Sequence, residues 1–431
     1  MIRTARLLAA ALLWLLARDL PAQQKWEFGG FVESAGQLYA RKPNPSDAFA
    51  IGAVRAQIRS RVRFSNTLSW RGAYDIRLDT HRDVDRTNRF DVSQRGLRQP
   101  AGTLTECYLE FKAGPVDLRA GNQQIRWGRA DGFNPTDNLV PYDYLDTFAD
   151  QRLPVTALQA DMYVAKARFE VAWIPFFTPT RLPLLGQRWF PGSSRTFGTA
   201  NDAGSVFLDG TRTLPARTFG NGQWAVRWNQ IVPRGEFSVS YFDGFDDLPF
   251  FSLGGMRVAE PREAGTVVHV PLNRQYCRVR VAGADFASEL GPFGIRGETA
   301  YFDSTDPANR DHLLYVIGMD HTRGDWFAIV QYADLWVSSP VPETALFPEL
   351  ALRSTLMARI EKKMGPENTF EIKGAVRLRD GDAMVQPLCS IGLSGNWRLK
   401  IGATFFSGPR ASYFGQFRDN ANFTLALRYS F

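Results

Sequence analysis

The 431-residue sequence has no apolar run long enough to cross a membrane as a helix. One short run near the N-terminus, Leu7–Leu16, follows Arg3 and Arg6 and is closed off by Arg18. This three-part pattern predicts a secretory signal at residues 1–22, cleaved after Ala22. An N-terminal anchoring helix is the alternative, and it is disfavoured because charged residues follow the apolar run too soon for a stable span.

The sequence also lacks the features that divide a chain into domains. No serine–glycine tract, proline run or block of like charge separates one part from another. Cleavage leaves 431 − 22 = 409 residues, and a soluble chain of that length would ordinarily split into two or three domains. A single β-barrel domain over residues 23–431 accounts for the undivided chain.

Positive charge is present but is not concentrated anywhere. The formal net charge of +7 becomes +7 − 3 + 1 = +5 when three arginines and one aspartate leave with the signal. The remaining charge is spread along the chain, whereas a nucleic-acid-binding protein needs a clustered basic face. A nucleic-acid partner is therefore not expected.

Cysteine and histidine are scarce, with three and four residues respectively. An odd number of cysteines cannot form a complete disulfide framework in an oxidising compartment. Because Cys107, Cys277 and Cys389 alternate in step with apolar neighbours, we expect reduced, lipid-facing thiols that form no zinc site. The histidines have no serine or aspartate constellation around them in the sequence, which disfavours a barrel hydrolase. No cofactor and no metal are expected.

Alternation with a period of two is abundant. In the segment 423–431 one face carries Phe423, Leu425, Leu427, Tyr429 and Phe431, and the other carries small or polar residues. An oily face and a polar face on one strand are typical of a membrane barrel in contact with outer-membrane lipid. Ending on Tyr429 and Phe431, the segment resembles the assembly signal of bacterial outer-membrane barrels. This resemblance implies the barrel-assembly machinery as a partner.

Arginines occupy the polar face of two consecutive segments. The set consists of Arg55, Arg59, Arg61, Arg63, Arg71 and Arg77. Because a charged side chain on a lipid face costs about 2–4 kcal/mol near the midplane, we expect these residues to line a pore. A row of guanidinium groups in a low-dielectric tube would favour anionic solutes. The alternative is that the arginines pair with acids from neighbouring strands and form a neutral, structural lining.

The alternating segments number about 18, with 16 as the alternative count. Tight turns, such as 394–396, alternate along the chain with long connections, such as 125–153 and 175–222. Tyrosines and tryptophans near the segment ends suit the membrane interface. These features predict an all-β fold: a transmembrane, antiparallel, up-and-down β-barrel.

One long connection carries a distinctive pattern. Residues 121–154 open with G-x-Q-x-x-x-W-G-x-x-D, contributed by Gly121, Gln123, Trp127, Gly128 and Asp131. This pattern resembles that of a large group of bacterial outer-membrane barrels of largely unassigned function, and a looser likeness exists to the alginate-export porins. The resemblance implies the barrel fold more than the activity. Weaker echoes of the same group include Asp285 and Glu298.

The same connection, the third long one by our count, is rich in aspartate. Its aspartates are Asp131, Asp137, Asp143, Asp146 and Asp150. Two interpretations stay open. In the first, the segment is a constriction loop that folds into the pore and faces the arginines. In the second, it is a surface loop pinned by aspartate caps and Asp–Arg pairs.

These patterns predict a channel in the bacterial outer membrane, and not an enzyme. Barrels of 16–18 strands enclose an aqueous passage, and inward charges select solutes by sign. We therefore expect passage of small or polymeric hydrophilic solutes, chiefly anionic ones. A non-conducting scaffold, adhesin or export-system partner is the alternative, and a barrel hydrolase is a less favoured one.

Overall fold

The computed structural model describes residues 26–42, 48–145, 151–185, 187–190, 205–254, 257–262, 265–305, 311–338 and 351–431. The predicted secretory signal lies outside these residues. Within them, no helix combines the length and apolar character that a membrane span requires.

Strands make up most of the described chain, because alternating aliphatic, aromatic and β-branched side chains pack well on a pleated surface. In chain order they are β1 (Trp26–Tyr39), β2 (Ala50–Arg63), β3 (Leu68–Asp79), β4 (Val84–Arg89), β5 (Gln99–Ala113), β6 (Val116–Gln123), β7 (Val155–Val164), β8 (Ala167–Ile174), β9 (Ser205–Thr213), β10 (Gln223–Val232), β11 (Gly235–Phe245), β12 (Phe250–Leu253), β13 (Arg257–Arg262), β14 (Gly265–Gln275), β15 (Arg278–Leu290), β16 (Phe293–Ser304), β17 (His312–Arg323), β18 (Trp326–Val337), β19 (Thr355–Lys363), β20 (Thr369–Arg377), β21 (Ala383–Gly392), β22 (Trp397–Ser407) and β23 (Asn422–Ser430). Short 3-10 helices lie at Phe219–Asn221 and Gly415–Asn420.

The main sheet closes on itself. It contains 19 of the described strands, and β4 pairs only with β5, in parallel, which leaves 19 − 1 = 18 strands in the barrel wall. Every neighbouring pair in the wall is antiparallel, and β1 pairs with both β2 and β23. Closure removes the free sheet edges and satisfies the backbone groups that lipid cannot hydrogen-bond. The predicted all-β, up-and-down barrel is confirmed, with 18 strands and not 16.

The two ends of the barrel differ. Tight turns such as those at Gly114, Gly324 and Gly395, each with a φ between 53° and 59°, lie at one end together with the start of β1. We call this the turn end. The long connections lie at the opposite end, the loop end, and residues 124–154 form the third of them along the chain. The predicted alternation of short and long connections is confirmed.

The two faces of the wall differ as the alternation predicts. Outward side chains are apolar and exposed, as shown by Val54, Ile58 and Leu425 at 42–47% exposure. Inward carboxylates are shielded, and Asp75 and Asp285 are at most 3% exposed. The apolar band is the surface that meets lipid in a membrane barrel.

One strand departs from the simple alternation. Strict alternation would put Thr105 on the same face as Cys107, but Thr105 is buried and its hydroxyl donates to the carbonyl of Ala73 at 3.4 Å. The register between β3 and β5 shifts between Ala73 and Tyr74. The resulting β-bulge inserts one residue, so the inward face passes from Thr105 to Glu110 without strict alternation.

No disulfide bond links the three cysteines, but one of them is not where the sequence pattern put it. Cys277 is 7% exposed, and the neighbours that share its face, Val279 and Val281, are each 2% exposed. The two valines belong to an apolar cluster inside the barrel. The expectation that this face meets lipid is therefore wrong, because a loop packs against it from within.

A second sheet, which the sequence pattern treated as loop, lies at the loop end. It has the order β12-β14-β13, and β9 pairs in parallel with β14. Its strands come from the two connections 175–222 and 246–277. Short strands inside long connections carry too few alternating residues to be separated from loop by periodicity alone.

Candidate functional site

The third long connection lies inside the barrel. Its residues Ile125, Trp127, Leu139 and Val140 are 1–4% exposed. They form one apolar cluster with inward residues of β7, β8, β10, β11, β15 and β16, namely Val155, Ala157, Ala172, Ile174, Ala225, Phe242, Val279, Val281 and Ala300. This part of the lumen wall is apolar because the inserted loop, and not water, covers it.

A single buried carboxylate holds the start of this loop. Glu298 on β16 is 3% exposed and accepts four hydrogen bonds. One oxygen takes the backbone N–H groups of Arg129 and Ala130 at 3.0 and 3.1 Å. The other takes the N–H and the hydroxyl of Thr136, both at 2.8 Å. Four donors compensate the burial of this charge, so Glu298 fixes where the chain turns.

The glycine of the sequence motif is required by the same carboxylate. Gly128 has a φ of +94°, and a Cβ placed there would lie 2.7 Å from both Glu298 Oε1 and Asn134 Cβ. The next residue, Arg129, forms ion pairs with Asp285 and, at 2.9 Å, with Glu236. The echoes Asp285 and Glu298 are thus the barrel-side anchors of the loop.

The described loop aspartates are each paired with an arginine. Asp131 lies 3.0 Å from Arg359 on β19, and Asp137 lies 2.8 Å from Arg152. Asp143 lies 2.7 Å from Arg181 and also accepts from Gln99 at 3.0 Å. The loop packs against inward residues of the wall, and the Asp–Arg pairs hold it there. Its role as a constriction stays a prediction. Asp146 and Asp150 lie outside the described residues.

Burial dominates the titration of one of these loop acids. The pKa of Asp137 is raised from 3.8 to about 6 by removal of the carboxylate from water. Arg152 and the backbone N–H of Trp127, which donates at 3.2 Å, act in the opposite direction. The loop therefore contains a carboxyl group that changes charge close to neutral pH.

The six predicted pore arginines have different surroundings. Arg55 and Arg77 share the carboxylate of Asp75, at 2.6 and 2.9 Å. Arg63 and Arg61 lie 3.2 and 3.9 Å from Glu27. Arg71 lies 3.8 Å from Glu110. Within the described residues Arg59 has neither an ion pair nor a hydrogen bond from its side chain, and it is exposed. Acids from neighbouring strands thus offset part of this charge.

More cations extend the set towards the turn end. Arg398 and Lys400 on β22 alternate with outward residues, and Arg428 on β23 lies 2.8 Å from Glu33. We use the term basic wall for seven residues of β2, β3, β22 and β23: Arg59, Arg61, Arg63, Arg71, Arg398, Lys400 and Arg428. Two pairs of its arginines are register partners, Arg61 with Arg71 and Arg398 with Arg428. Sequence alternation does not place β22 near β2; the pairing of β22 with β23, of β23 with β1 and of β1 with β2 does.

A cavity of about 520 Å³ lies between the inserted loop and the opposite wall, towards the loop end. Phe133 and Tyr142 of the loop line one side of it, and Phe406 and Thr404 of β22 line another. No motif in the sequence pointed to it, because its lining comes from segments distant along the chain.

The described histidines have separate environments. His81 Nε2 lies 3.4 Å from Asp79 and 3.2 Å from Asp83, and these three residues form the one group in the described chain with a spacing that could hold a metal ion. His312 stacks on Phe302 with ring centroids 4.3 Å apart. His321 lies near the end of β17, and its Nδ1 lies 2.8 Å from the Pro292 carbonyl oxygen. The side chain of His269 is outside the described part.

Comparison with known proteins supports the same architecture. The sequence pattern of a family described as "Protein of unknown function (DUF1302)" matches residues 53–324. No curated protein matches the sequence. OccAB4 of Acinetobacter baumannii has a similar structure, with 10% identity, a TM-score of 0.55 and coverage of 95% of this chain and 99% of its own. A BenF-like porin from Pseudomonas fluorescens Pf-5 is 9% identical, with a TM-score of 0.53 and coverage of 96% of this chain and 99% of its own. OccK3 (OpdO) of Pseudomonas aeruginosa is 10% identical, with a TM-score of 0.52 and coverage of 97% of this chain and 99% of its own. At these identities the likeness concerns the fold, which is that of outer-membrane porins.

Proposed function

This chain belongs to the DUF1302 family of proteins of unknown function, and from its porin fold we propose that it is a channel of the bacterial outer membrane. The apolar outer face of the barrel supports residence in lipid. A closed wall of 18 strands is wide enough for an aqueous passage even with a loop folded inside. A hydrolase is not proposed, because the described histidines contact carboxylates, a ring and a carbonyl without forming a recognisable nucleophile site.

The passage, in this proposal, runs along the basic wall and favours anions. One observation carries the proposal: Arg61 faces Arg71 across one strand pair, and Arg398 faces Arg428 across another. Like charges directly opposite each other destabilise a sheet, and an anion passing between them would relieve this repulsion. Forked guanidinium donors are well suited to carboxylate or phosphate groups of a passing solute.

The opposite side of the lumen is compatible with the same preference for anions. Its buried acids are occupied, because Asp285 pairs with Arg129 and Arg227, and Glu298 holds the loop. These charges are balanced within the protein and add little field to the passage. The net positive field of the lumen therefore comes from β22, β23, β2 and β3.

Planar-bilayer recording of the purified protein tests this proposal. We expect step currents and, in a potassium chloride gradient, a reversal potential of the sign that indicates chloride preference. The double variant Arg59→Ser, Arg398→Ser removes two exposed charges of the basic wall. It should move the reversal potential towards zero while channels still form.

Arg234→Ser is the matched control, because Arg234 is exposed in a tight turn at the same end of the barrel, away from the basic wall. It should leave selectivity unchanged. Stable, silent protein in the bilayer would contradict the channel and favour the scaffold or adhesin alternative. Currents without anion preference would contradict only the role of the basic wall.

A further inference from the structure

The cavity at the loop end has a lining unlike that of the basic wall. It is enclosed largely by aromatic rings, among them Phe133, Trp189, Phe242, Phe302, Phe406 and Phe417. No lysine or arginine is present among the described residues that line it. Its volume of about 520 Å³ lies in the range of sites that bind small organic molecules.

The rings on one side of the cavity support each other. Trp189 lies 5.9 Å from both Phe406 and Phe417, measured between ring centroids, and these two phenylalanines are themselves 5.9 Å apart. On the loop side Tyr142 stacks on Tyr144 at 5.2 Å. Packed aromatic side chains form a preformed wall, and offset or edge contacts with another ring are favourable there.

The acids that border the cavity are engaged. Asp137 pairs with Arg152, and Asp247 accepts the hydroxyl of Thr180 at 2.8 Å. Asp246 accepts the N–H of Leu248 at 3.0 Å. An anion entering the cavity would meet three carboxyl groups and no cation, whereas an uncharged apolar molecule would meet mainly rings.

Two buried polar atoms on lining residues have no hydrogen-bond partner in the described structure. They are the indole Nε1 of Trp189, a donor, and Oδ1 of Asn134, an acceptor. Buried polar atoms are nearly always partnered, and a partner can be supplied by a ligand. An acceptor on a ligand would satisfy the indole N–H of Trp189, and a donor would satisfy Oδ1 of Asn134.

We propose that this cavity is a binding site for an uncharged, mainly apolar ring compound that carries a hydroxyl group. The site extends the proposed function, because it adds a binding site for a neutral solute at the loop end of a channel whose basic wall favours anions. Rings of the ligand pack against the aromatic lining, and the oxygen of its hydroxyl accepts the indole N–H of Trp189. Contacts between aromatic rings contribute binding free energy beyond that of buried apolar area alone.

Equilibrium binding to the protein in lipid nanodiscs tests the proposal, with empty nanodiscs as the reference for partition into lipid. The probes are 2-naphthol, naphthalene and 2-naphthoate, which share one ring system. We expect saturable binding of 2-naphthol at the level of one molecule per barrel, and binding of 2-naphthoate at least tenfold weaker. Equal or tighter binding of 2-naphthoate would overturn the proposal, as would no saturable binding of 2-naphthol.

Two variants locate the site. Trp189→Phe keeps a ring but removes the indole N–H. It should weaken the binding of 2-naphthol about fivefold to tenfold and leave the binding of naphthalene unchanged. Met384→Lys places a cation in the lining and should weaken 2-naphthol strongly. The same substitution at Met364, which is exposed in the β19–β20 turn, should have no effect. Identical 2-naphthol binding in Met384→Lys and Met364→Lys would overturn the assignment.

The outcome is independent of channel activity. A silent protein that binds 2-naphthol contradicts the channel and leaves the chamber intact. A conducting protein that does not bind it contradicts the chamber and leaves the channel intact.

Discussion

The carboxylate of Glu298 accepts the backbone N–H of Thr136 at 2.8 Å, although the two residues are 162 positions apart in the chain. One residue belongs to the barrel wall and the other to the loop inside it. This hydrogen bond therefore ties the position of the loop to the barrel wall. Changing the carboxylate should therefore change the passage and not the barrel.

Glu298→Gln tests this dependence. Each carboxylate oxygen accepts two donors, so an amide in either orientation turns its NH₂ group towards two N–H or O–H groups. We expect a loss of about 1–3 kcal/mol in loop anchoring, seen as larger, noisier single-channel currents and faster proteolysis within residues 126–136. The exposed Glu289→Gln at the turn end is the control. Identical currents in the two variants would refute the anchoring role.

Gly128→Ala should have a similar effect for a steric reason. Gly128 and Gly132 have nearly equal φ angles, +94° and +92°, but a Cβ at Gly132 meets nothing within 4 Å. Both alanine variants carry the cost of a left-handed residue, about 1–2 kcal/mol, and only the first also collides with Glu298. We expect a larger fall in thermal stability and loop order for Gly128→Ala, measured by melting in detergent and limited proteolysis. Equal losses would show that close approach is unimportant.

Asp137 predicts a pH dependence with a definite sign. Its pKa is raised by burial from 3.8 to about 6, so the folded protein holds this proton more tightly than the unfolded chain does. The resulting stabilisation is complete below about pH 3.8 and is lost as the pH rises through about 6. The melting temperature should show this loss, and Asp137→Asn should reduce the slope. A slope equal to that of the wild type would assign the effect to another group.

Removing Phe431 should impair assembly more than conduction. The backbone of Phe431 exchanges two hydrogen bonds with Gly30 on β1, at 2.9 and 3.0 Å, and its ring lies 6.1 Å from that of Phe28. We propose that it carries the signal read by the barrel-assembly machinery, together with the nearby ring of Tyr429. The truncated chain should reach the outer membrane at a reduced level, with normal conductance of the inserted fraction. Phe431→Tyr, which keeps the ring, is the control, and wild-type levels after deletion would contradict the signal.

The sequence predicted the barrel because lipid imposes a rule that applies at each strand position. Outward residues such as Ile58 must be apolar, so apolar residues recur at every second position of the sequence of a strand. The inside obeys no such rule: Val281 is apolar where a loop covers the wall, and Asp285 is charged where Arg129 meets it. The extra residue near Thr105 is invisible to periodicity for a related reason, because a bulge is defined by the partner strand.

The sequence indicated which residues belong to the candidate site, but not which of them contact each other. The sequence led us to expect that the arginines need neighbours other than lipid, whereas the sharing of Asp75 by Arg55 and Arg77 depends on strand register. The motif residue Gly128 was identifiable, while its reason, the approach of Glu298, lies 170 positions away. The aromatic chamber gave no sequence signal, because long-range packing assembles it from residues as distant as Gln37 and Phe417.

The seam between β1 and β23 also sets an order of events. Phe31 and Ser430, register partners across that seam, are 430 − 31 = 399 positions apart, so the ring of strands can be completed only after nearly the whole described chain has been synthesised and delivered. Contacts this remote in sequence form late and slowly. Until then both edge strands expose unpaired backbone groups, which would invite aggregation in water. We therefore expect the unpaired edges of β1 and β23 to need protection from water until these two strands pair and close the barrel.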